Sequence, residues 1–271
     1  MSELNKPYSL TRQQKEFYRE NGFIKLKDVL QEETINHYKA EIDRMVEQKN
    51  PMANKDMEER DTYEKAFIQI INLWLESEIV KEFVLNERMG QIAAELMQVD
   101  GVRLYHDQAL YKEPSGNSEN ITPWHADQFY WPLEGNNTVT AWIPLQVTPL
   151  EMGPLAFSKG SQKYEIGRDL AISDESEQII QQELSDKNLE LDESGFDLGE
   201  VSFHSGWTFH RAGANKSGDV RATFTIIYME DGMKVSEFKY DEHRADRDAF
   251  LPALEPGDVA VTEKNPLIYH K

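Results

Sequence analysis

In the first hundred residues of the chain, hydrophobic positions recur every three or four residues, which is the period of an amphipathic helix. The predicted helices cover about 11–22, 32–48, 78–85 and 87–98. Thr11 and Gln14 match a capping box at the start of the first helix. Asn86 is a typical cap for the last helix, and Gly101 is expected to close it. This part of the chain is therefore predicted to be mainly helical.

From residue 102 onwards, the pattern changes to short runs of β-branched and aromatic residues separated by turns that contain Gly, Pro or Asn. The predicted strands cover about 23–30, 102–111, 122–132, 138–147, 155–157, 198–203, 207–212, 220–229 and 259–261, with a loop at 114–118 and a polar helix at 241–250. Helices followed by many strands favour an antiparallel barrel or a double-sheet jelly roll. We therefore predict a mainly β fold with a cupin-like, double-stranded β-helix core and an N-terminal helical layer. The length favours a single domain over 1–271, with the jelly-roll core at about 102–261.

Composition narrows the classes of partner. The chain has 49 acidic and 29 basic residues, and its net charge of −20 argues against nucleic acid and anionic membranes as partners. It has no cysteine, which excludes disulfides and thiolate chemistry. No long apolar run and no secretory signal are present, so we expect a cytoplasmic protein that acts on a small molecule. The oligomeric state is left open. Residues 169–200 hold eleven acidic residues and one lysine, which predicts a solvated surface insertion.

The candidate chemistry begins with a histidine and a carboxylate two positions apart, His125 and Asp127, in the aromatic run 122–132. In a β-strand, side chains at positions i and i+2 point to the same face. These two residues can therefore meet at one point. They would supply two of the three ligands of a 2-His-1-carboxylate site, which is typical of non-heme Fe(II) oxygenases.

The third ligand has two candidates, His204 and His210, and their spacing from Asp127 does not decide between them. Arg221 follows His210 by eleven residues across a Gly-containing turn, so a hairpin would place Arg221 beside that histidine. An arginine beside a metal can bind a carboxylate through two parallel hydrogen bonds. This arrangement favours His210 and suits a dicarboxylate that chelates the metal at its other end.

Several segments together resemble the phytanoyl-CoA dioxygenase family of Fe(II)- and 2-oxoglutarate-dependent oxygenases. The resemblance covers most of the chain, and its motifs lie at 10–14, 21–23, 124–127, 139–145, 153–155, 159–161 and 209–217, together with Arg221. Met152 and Lys159 depart from the usual family pattern. A lone His-x-Asp pair is common in proteins, but the combination of these segments is specific.

The resemblance implies a set of site residues. His125, Asp127 and His210 correspond to the iron ligands, and Arg221 corresponds to the arginine that holds the distal carboxylate of 2-oxoglutarate. Gln108 and Trp142 fall at positions that line the 2-oxoglutarate pocket in relatives.

One position of the co-substrate pocket departs from the family. Relatives often have a serine two residues after the distal histidine, whereas this chain has Ala212. Thr140 or Thr223 is a candidate for the missing hydroxyl, and a water molecule is the alternative. Trp124 and Tyr130 either line the mouth of the substrate pocket or cap the core of the barrel.

The implied reaction consumes O₂ and 2-oxoglutarate, releases succinate and CO₂, and hydroxylates a C–H bond of the substrate. Halogenating relatives have a small residue at the carboxylate position, so Asp127 favours a hydroxylase. Two other functions stay open: a cupin-like isomerase or hydrolase that uses Zn²⁺ or Mn²⁺, and a non-catalytic jelly roll that binds a ligand. The sequence does not identify the substrate. The net charge of −20 nevertheless disfavours an acyl-CoA, which is itself negatively charged.

Overall fold

The computed structural model of the protein describes residues 3–116 and 120–271, in which the strands form two antiparallel sheets. The predicted loop at 114–118 lies partly outside these residues, and Met1 and Ser2 lie wholly outside them. The strands are β1 Phe23–Leu26, β2 Ile68–Ile71, β3 Gly101–Lys112, β4 Thr122–His125, β5 Thr138–Pro144, β6 Leu155–Ser158, β7 Leu191–Glu193, β8 Val201–Ser205, β9 His210–Ala212, β10 Arg221–Glu230 and β11 Leu267–His270. The helices are α1 Arg12–Asn21, α2 Glu32–Lys49, α3 Thr62–Ala66, α4 Glu78–Val84, α5 Glu87–Met97, α6 Asp174–Asp186 and α7 Asp241–Phe250.

The major sheet has the order β1-β8-β5-β10-β3-β11, with β2 also paired to β3, and the minor sheet has the order β4-β9-β6-β7. The predicted double-sheet jelly roll is thus confirmed, and the closed barrel is not. Three strands of the major sheet, β1, β2 and β11, come from outside 102–261, the range that the sequence assigns to the jelly-roll core.

The two faces of the major sheet are buried against different partners, which β10 shows most clearly. Ala222, Phe224 and Ile226 belong to the apolar core that the sheet forms with α2, α4 and α5. The alternate residues Arg221 and Thr225 line a cavity on the other face. β10 thus alternates apolar and polar residues although both of its faces are buried. Its polar residues face the cavity, and this cavity contains the candidate site.

Some local predictions are wrong at the element boundaries. The run around His125 is not one strand, because β4 ends there and Asp127 begins a 3₁₀ helix, Asp127–Phe129. Gly101 does not close α5. The helix ends at Met97, and the residue that caps it is Gln98, which has a left-handed conformation. Val259 makes only an isolated bridge, and the last strand is β11 instead.

None of the helices in the described ranges is both long enough and apolar enough to cross a membrane.

Candidate metal and co-substrate site

The pairing of β4 with β9 brings the two predicted histidine ligands together. His125 is the last residue of β4 and His210 is the first of β9, and the two are direct antiparallel partners. Their ring centroids lie 4.1 Å apart. Ala126 has extended backbone angles, φ −123° and ψ 129°, so Asp127 still faces the same side as His125 although the strand has ended.

The three side chains form a cluster that can hold a metal ion. One potential ligand atom from each of His125, Asp127 and His210 lies within 4.8 Å of the other two. Asp127 Oδ1 is 3.6 Å from His125 Nε2 and 3.4 Å from His210 Nε2. Asp127 is partly enclosed and both histidines are buried, so the chain forms one compact set of nitrogen and oxygen donors.

Backbone carbonyls fix the orientation of both imidazole rings. His125 Nδ1 lies 2.8 Å from the carbonyl oxygen of Pro123, and His210 Nδ1 lies 2.9 Å from that of Thr208. Because a carbonyl oxygen only accepts hydrogen bonds, each Nδ1 carries a proton, and each Nε2 is the ring atom that faces Asp127 and is available to a metal ion. Metal-binding histidines need this tautomer, and their outer nitrogen is usually held in this way.

The protonation states also suit a cation. Burial by itself raises the pKa of Asp127, but the charge of His210 and hydrogen bonds from His125, His204 and His210 hold that pKa well below its usual range. Burial, and next the neighbouring His210, lower the pKa of His125. At neutral pH the cluster therefore contains an ionised carboxylate and a neutral His125, the forms that bind divalent metals.

The second oxygen of Asp127 has partners of its own. Thr140 Oγ1 donates a hydrogen bond of 2.8 Å to Asp127 Oδ2, and His204 Nε2 lies 3.1 Å from the same oxygen. The structure therefore places His204 at Asp127 Oδ2, whereas His125 and His210 approach Oδ1. Thr140, one of the candidates for the hydroxyl missing at Ala212, donates its proton to the carboxylate.

Replacing Thr140 with valine should weaken metal binding about tenfold, since outer contacts of this kind are worth roughly 10–100-fold in affinity. The valine keeps the shape of the side chain but leaves Asp127 Oδ2 with one donor fewer. A titration with Co²⁺ followed by absorption would measure the change. The matched control is Thr225→Val on β10, where the hydroxyl bonds the carbonyl of Gln108 instead. Equal affinities of the two variants would contradict the assigned role of Thr140.

A buried arginine stands beside the histidine cluster. Arg221 is 2 % exposed, its Nη1 donates to the carbonyl of Gly153, and its guanidinium lies 5.5 Å from the centroid of the Trp142 ring. Within residues 3–116 and 120–271, its Nε has no hydrogen-bond partner and its charge has no carboxylate partner. Burial lowers the pKa of Arg221 to about 9, so it stays charged at neutral pH. A buried charge without a counter-ion is costly, so this position favours an anionic ligand.

The loop that contacts Arg221 depends on a glycine. Gly153 has a φ of +64°, and a Cβ atom there would lie 2.1 Å from the carbonyl oxygen of Gly213. Only glycine permits this close approach, which brings the Gly153 carbonyl to the guanidinium. Lys112, the cross-strand partner of Arg221, is also fully buried, and it bonds the carbonyl of Asn120. Desolvation, and then the charge of Arg221, lower its pKa well below the usual value.

A residue that the sequence did not single out lies beside Ala212. Thr122 of β4 is the direct strand partner of Ala212, and its buried hydroxyl has no hydrogen-bond partner within the described part of the chain. It lines the same cavity as Arg221. The hydroxyl of Thr223 is likewise buried and unpartnered among the described residues. Thr122 is the better-placed substitute for the missing serine, but it can be found only from the register of β4 and β9.

The cluster and Arg221 line one cavity of about 290 Å³. The predicted residues Gln108, Trp142, Thr140 and Tyr130 also line it. Trp124 is not among its lining residues, because its side chain is buried in a separate core under α6. Another group of lining residues was not predicted from the sequence. They belong to the segment around α3 and β2 and to α7, and they are Tyr63, Phe67, Gln69, Ile71, Ala245, Asp246, Ala249 and Phe250.

The acidic segment was predicted as a solvated surface insertion with helical pieces; α6 is such a helix, but one of its faces is buried rather than solvated. Ile180 of this helix is buried against the minor sheet. Glu177 accepts a hydrogen bond of 2.8 Å from the backbone N–H of Trp124 and pairs with Arg211 at 2.7 Å. Trp124 and Arg211 are the sequence neighbours of His125 and His210. Glu177 of α6 therefore contacts both strands that bring the two histidines together, β4 and β9.

Comparison with known proteins extends these observations. The family model described as phytanoyl-CoA dioxygenase (PhyH) matches residues 18–223. The peroxisomal phytanoyl-CoA dioxygenase of Mus musculus is 25% identical over 167 residues, and that of Bos taurus is 23% identical over 164 residues. Each match covers 57% of this chain and 48% of the relative. The chain thus spans about half the length of these curated relatives.

Solved structures share the fold over nearly the whole chain. The non-heme alpha ketoglutarate dependent carbocyclase SnoK from nogalamycin biosynthesis is 25% identical, with a TM-score of 0.77 and coverage of 97% of this chain and 99% of that one. The epimerase SnoN in complex with Fe³⁺, alpha ketoglutarate and nogalamycin RO is 21% identical, with a TM-score of 0.77 and coverage of 94% and 97%. EctD from S. alaskensis with 2-oxoglutarate and 5-hydroxyectoine is 15% identical, with a TM-score of 0.71 and coverage of 97% and 92%. Iron and 2-oxoglutarate, the predicted cofactors, are thus bound by proteins of this fold.

Proposed function

The chain belongs to the phytanoyl-CoA dioxygenase family, and from this premise we propose that it is an Fe(II)- and 2-oxoglutarate-dependent oxygenase that hydroxylates a small molecule. In the proposed reaction, one oxygen atom of O₂ enters the substrate as a hydroxyl group and the other enters succinate, while the remaining carbon of 2-oxoglutarate leaves as CO₂. The reaction would take place in one domain over 1–271. The cytoplasmic location stays a prediction.

The observation that carries this proposal is Arg221. A histidine and carboxylate cluster alone would equally suit a Zn²⁺ or Mn²⁺ isomerase, a hydrolase or a ligand-binding jelly roll. None of these needs a buried guanidinium without a carboxylate partner in the cavity of the metal site. A dicarboxylate that chelates the metal at one end and pairs with Arg221 at the other end explains both features together.

Each group of residues has a defined task in this proposal. When bound, iron would bring O₂ together with 2-oxoglutarate, and the oxidative decarboxylation of 2-oxoglutarate would supply two of the four electrons that reduce O₂ while the substrate C–H bond supplies the other two. His125, Asp127 and His210 hold the metal from one side and leave its other side open to ligands. Arg221 and Thr122 orient the far carboxylate of 2-oxoglutarate. The surrounding aromatic side chains keep water away from the reacting atoms.

Hydroxylation is the specific outcome that we propose for the C–H bond. Asp127 occupies the position at which a small residue would leave room for a halide, so we expect no halogenation. The similar structures include a carbocyclase and an epimerase, so the fold alone does not select the outcome. Incorporation of ¹⁸O from ¹⁸O₂ into the product distinguishes hydroxylation from ring closure or epimerisation.

The first test needs no substrate. Anaerobic addition of Fe(II) and then 2-oxoglutarate should produce a visible metal-to-ligand charge-transfer band, and admission of air should slowly generate succinate. The band reports that 2-oxoglutarate chelates the metal, which the competing functions do not require. If metal binds but neither the band nor succinate appears, the oxygenase proposal fails.

A further inference from the structure

The outer part of the cavity holds a carboxylate that the proposed oxidation does not use. Asp246 lies on α7, and apart from Asp127 it is the only acidic residue among the described residues that line the cavity. Its Oδ2 accepts a hydrogen bond of 3.1 Å from the hydroxyl of Tyr105. Within the described ranges it has no lysine or arginine partner, although the next residue, Arg247, pairs with Asp248 and Glu255. Asp246 thus presents a carboxyl group to the cavity without a basic partner among the described residues.

Aromatic side chains surround this end of the cavity. Tyr63, Phe67, Tyr130, Trp131 and Phe250 line it together with Asp246. Faces of aromatic rings attract cations, most strongly where water is excluded. A carboxylate among several rings is the combination that recognises a positively charged nitrogen.

None of the described residues that line the cavity supplies a positive charge to Asp246. Arg221 is the only lysine or arginine among the described lining residues, and it belongs to the opposite, co-substrate end. His106 stacks on Phe250 with ring centroids 4.0 Å apart, but burial lowers its pKa to about 4, so it is neutral. A cation that stabilises the ionised form of Asp246 would therefore have to come from a ligand.

The energetics of Asp246 support the same conclusion. Burial raises its pKa to about 8, with the hydrogen bond from Tyr105 acting against this rise and the charge of Asp127 adding to it. The carboxyl group is therefore poised to ionise when a cation arrives. The net charge of −20 draws cations towards the protein and disfavours anionic substrates such as CoA esters.

We propose that the substrate carries a positively charged nitrogen, which Asp246 binds among the aromatic side chains of Tyr63, Tyr130 and Phe250 at the outer end of the cavity. Arg221 repels the cation from the inner end, so the cavity orients its two ligands by charge. The C–H bond to be oxidised then faces His125, Asp127 and His210. The word "substrate" rests on the proposed oxygenase function, whereas the cation site rests on the residues around Asp246 alone.

The test uses two probes of the same shape that differ in charge, choline and its neutral carbon analogue 3,3-dimethylbutan-1-ol. Calorimetric titration of the full-length chain should show that choline binds about tenfold more tightly, or better, because only choline pairs with the carboxylate. Asp246→Asn should remove this preference and leave the affinity for the alcohol unchanged. The control Asp248→Asn removes the same charge from the same helix at a side chain that is 70% exposed, and it should keep the preference.

Three outcomes would overturn the proposal: equal binding of the two probes to the wild type, no binding of choline to it, or an intact preference in Asp246→Asn. The comparison on the wild type decides even if that variant does not fold. Recording the 2-oxoglutarate charge-transfer band on the same preparations separates the two proposals. A choline preference without the band would refute the oxygenase function but not the cation site. The band without a choline preference would refute the cation site but not the oxygenase function.

Discussion

Replacing His210 with alanine should strip the metal from the protein, whereas replacing His204 with alanine should leave it bound. His210 Nε2 faces Asp127 Oδ1 together with His125 Nε2, so its loss removes one of only three donors. His204 Nε2 approaches Asp127 Oδ2 rather than Oδ1, and its loss should cost no more than the roughly 10–100-fold typical of an outer contact. Metal content after dialysis, together with Co²⁺ titration, would measure both effects.

The two variants control for each other. Both histidines are buried in neighbouring positions, with ring centroids 4.4 Å apart, so general damage to the core should be similar. Melting temperatures of the metal-free variants would check this point. If His204→Ala lost the metal while His210→Ala kept it, the assignment of the third ligand would be reversed.

The second large effect is expected for Arg221→Ala, which should weaken 2-oxoglutarate binding and leave metal binding unchanged. Truncating one partner of a buried charge pair costs about 2–5 kcal/mol, which is roughly 30-fold to several thousand-fold in affinity. Among the described residues, the side chain of Arg221 bonds the carbonyl of Gly153 and lies beside the ring of Trp142 rather than pairing with a candidate metal ligand. Titration of 2-oxoglutarate against the charge-transfer band, beside a metal titration, would separate the two affinities.

Arg221→Lys is the informative control for this prediction. Lysine keeps the positive charge but lacks the planar fork that binds both carboxylate oxygens, so an intermediate affinity is expected. Loss of metal and 2-oxoglutarate to the same extent in Arg221→Ala would show that the arginine supports the fold of the site rather than the co-substrate.

Local sequence patterns were enough to identify His125 and Asp127 as a pair, because the two residues are close together along the chain. The pair His125 and Asp127 keeps its common orientation through a single extended residue, Ala126, even though the expected strand ends early. The hairpin expected between the strands of His210 and Arg221 is wrong, because β9 lies in the minor sheet and β10 in the major sheet. Arg221 at the start of β10 nevertheless lines the same cavity as His210. These relations survive errors in the boundaries of the elements.

The choice between His204 and His210 shows where such reasoning stops. Both lie on strands and both face the polar interior, where each approaches Asp127. What separates them is sheet pairing, since His210 pairs with His125 in the minor sheet and His204 pairs with Thr140 in the major one. Spacing in sequence does not encode which strands become neighbours.

The sequence by itself predicted the family, a mainly β jelly-roll fold with an N-terminal helical layer, and the donor set His125, Asp127 and His210. Only the tertiary structure showed that Thr122 lies opposite Ala212, that α6 contacts the strands of the two histidines, and that Asp246 reaches the cavity. The physical reason is the range of the interactions. Periodicity and turns report on neighbours along the chain, whereas the register of paired strands and the docking of α7 depend on packing across the whole molecule. The part of the cavity around Asp246, where we propose that the substrate binds, is formed mostly by contacts of this second kind.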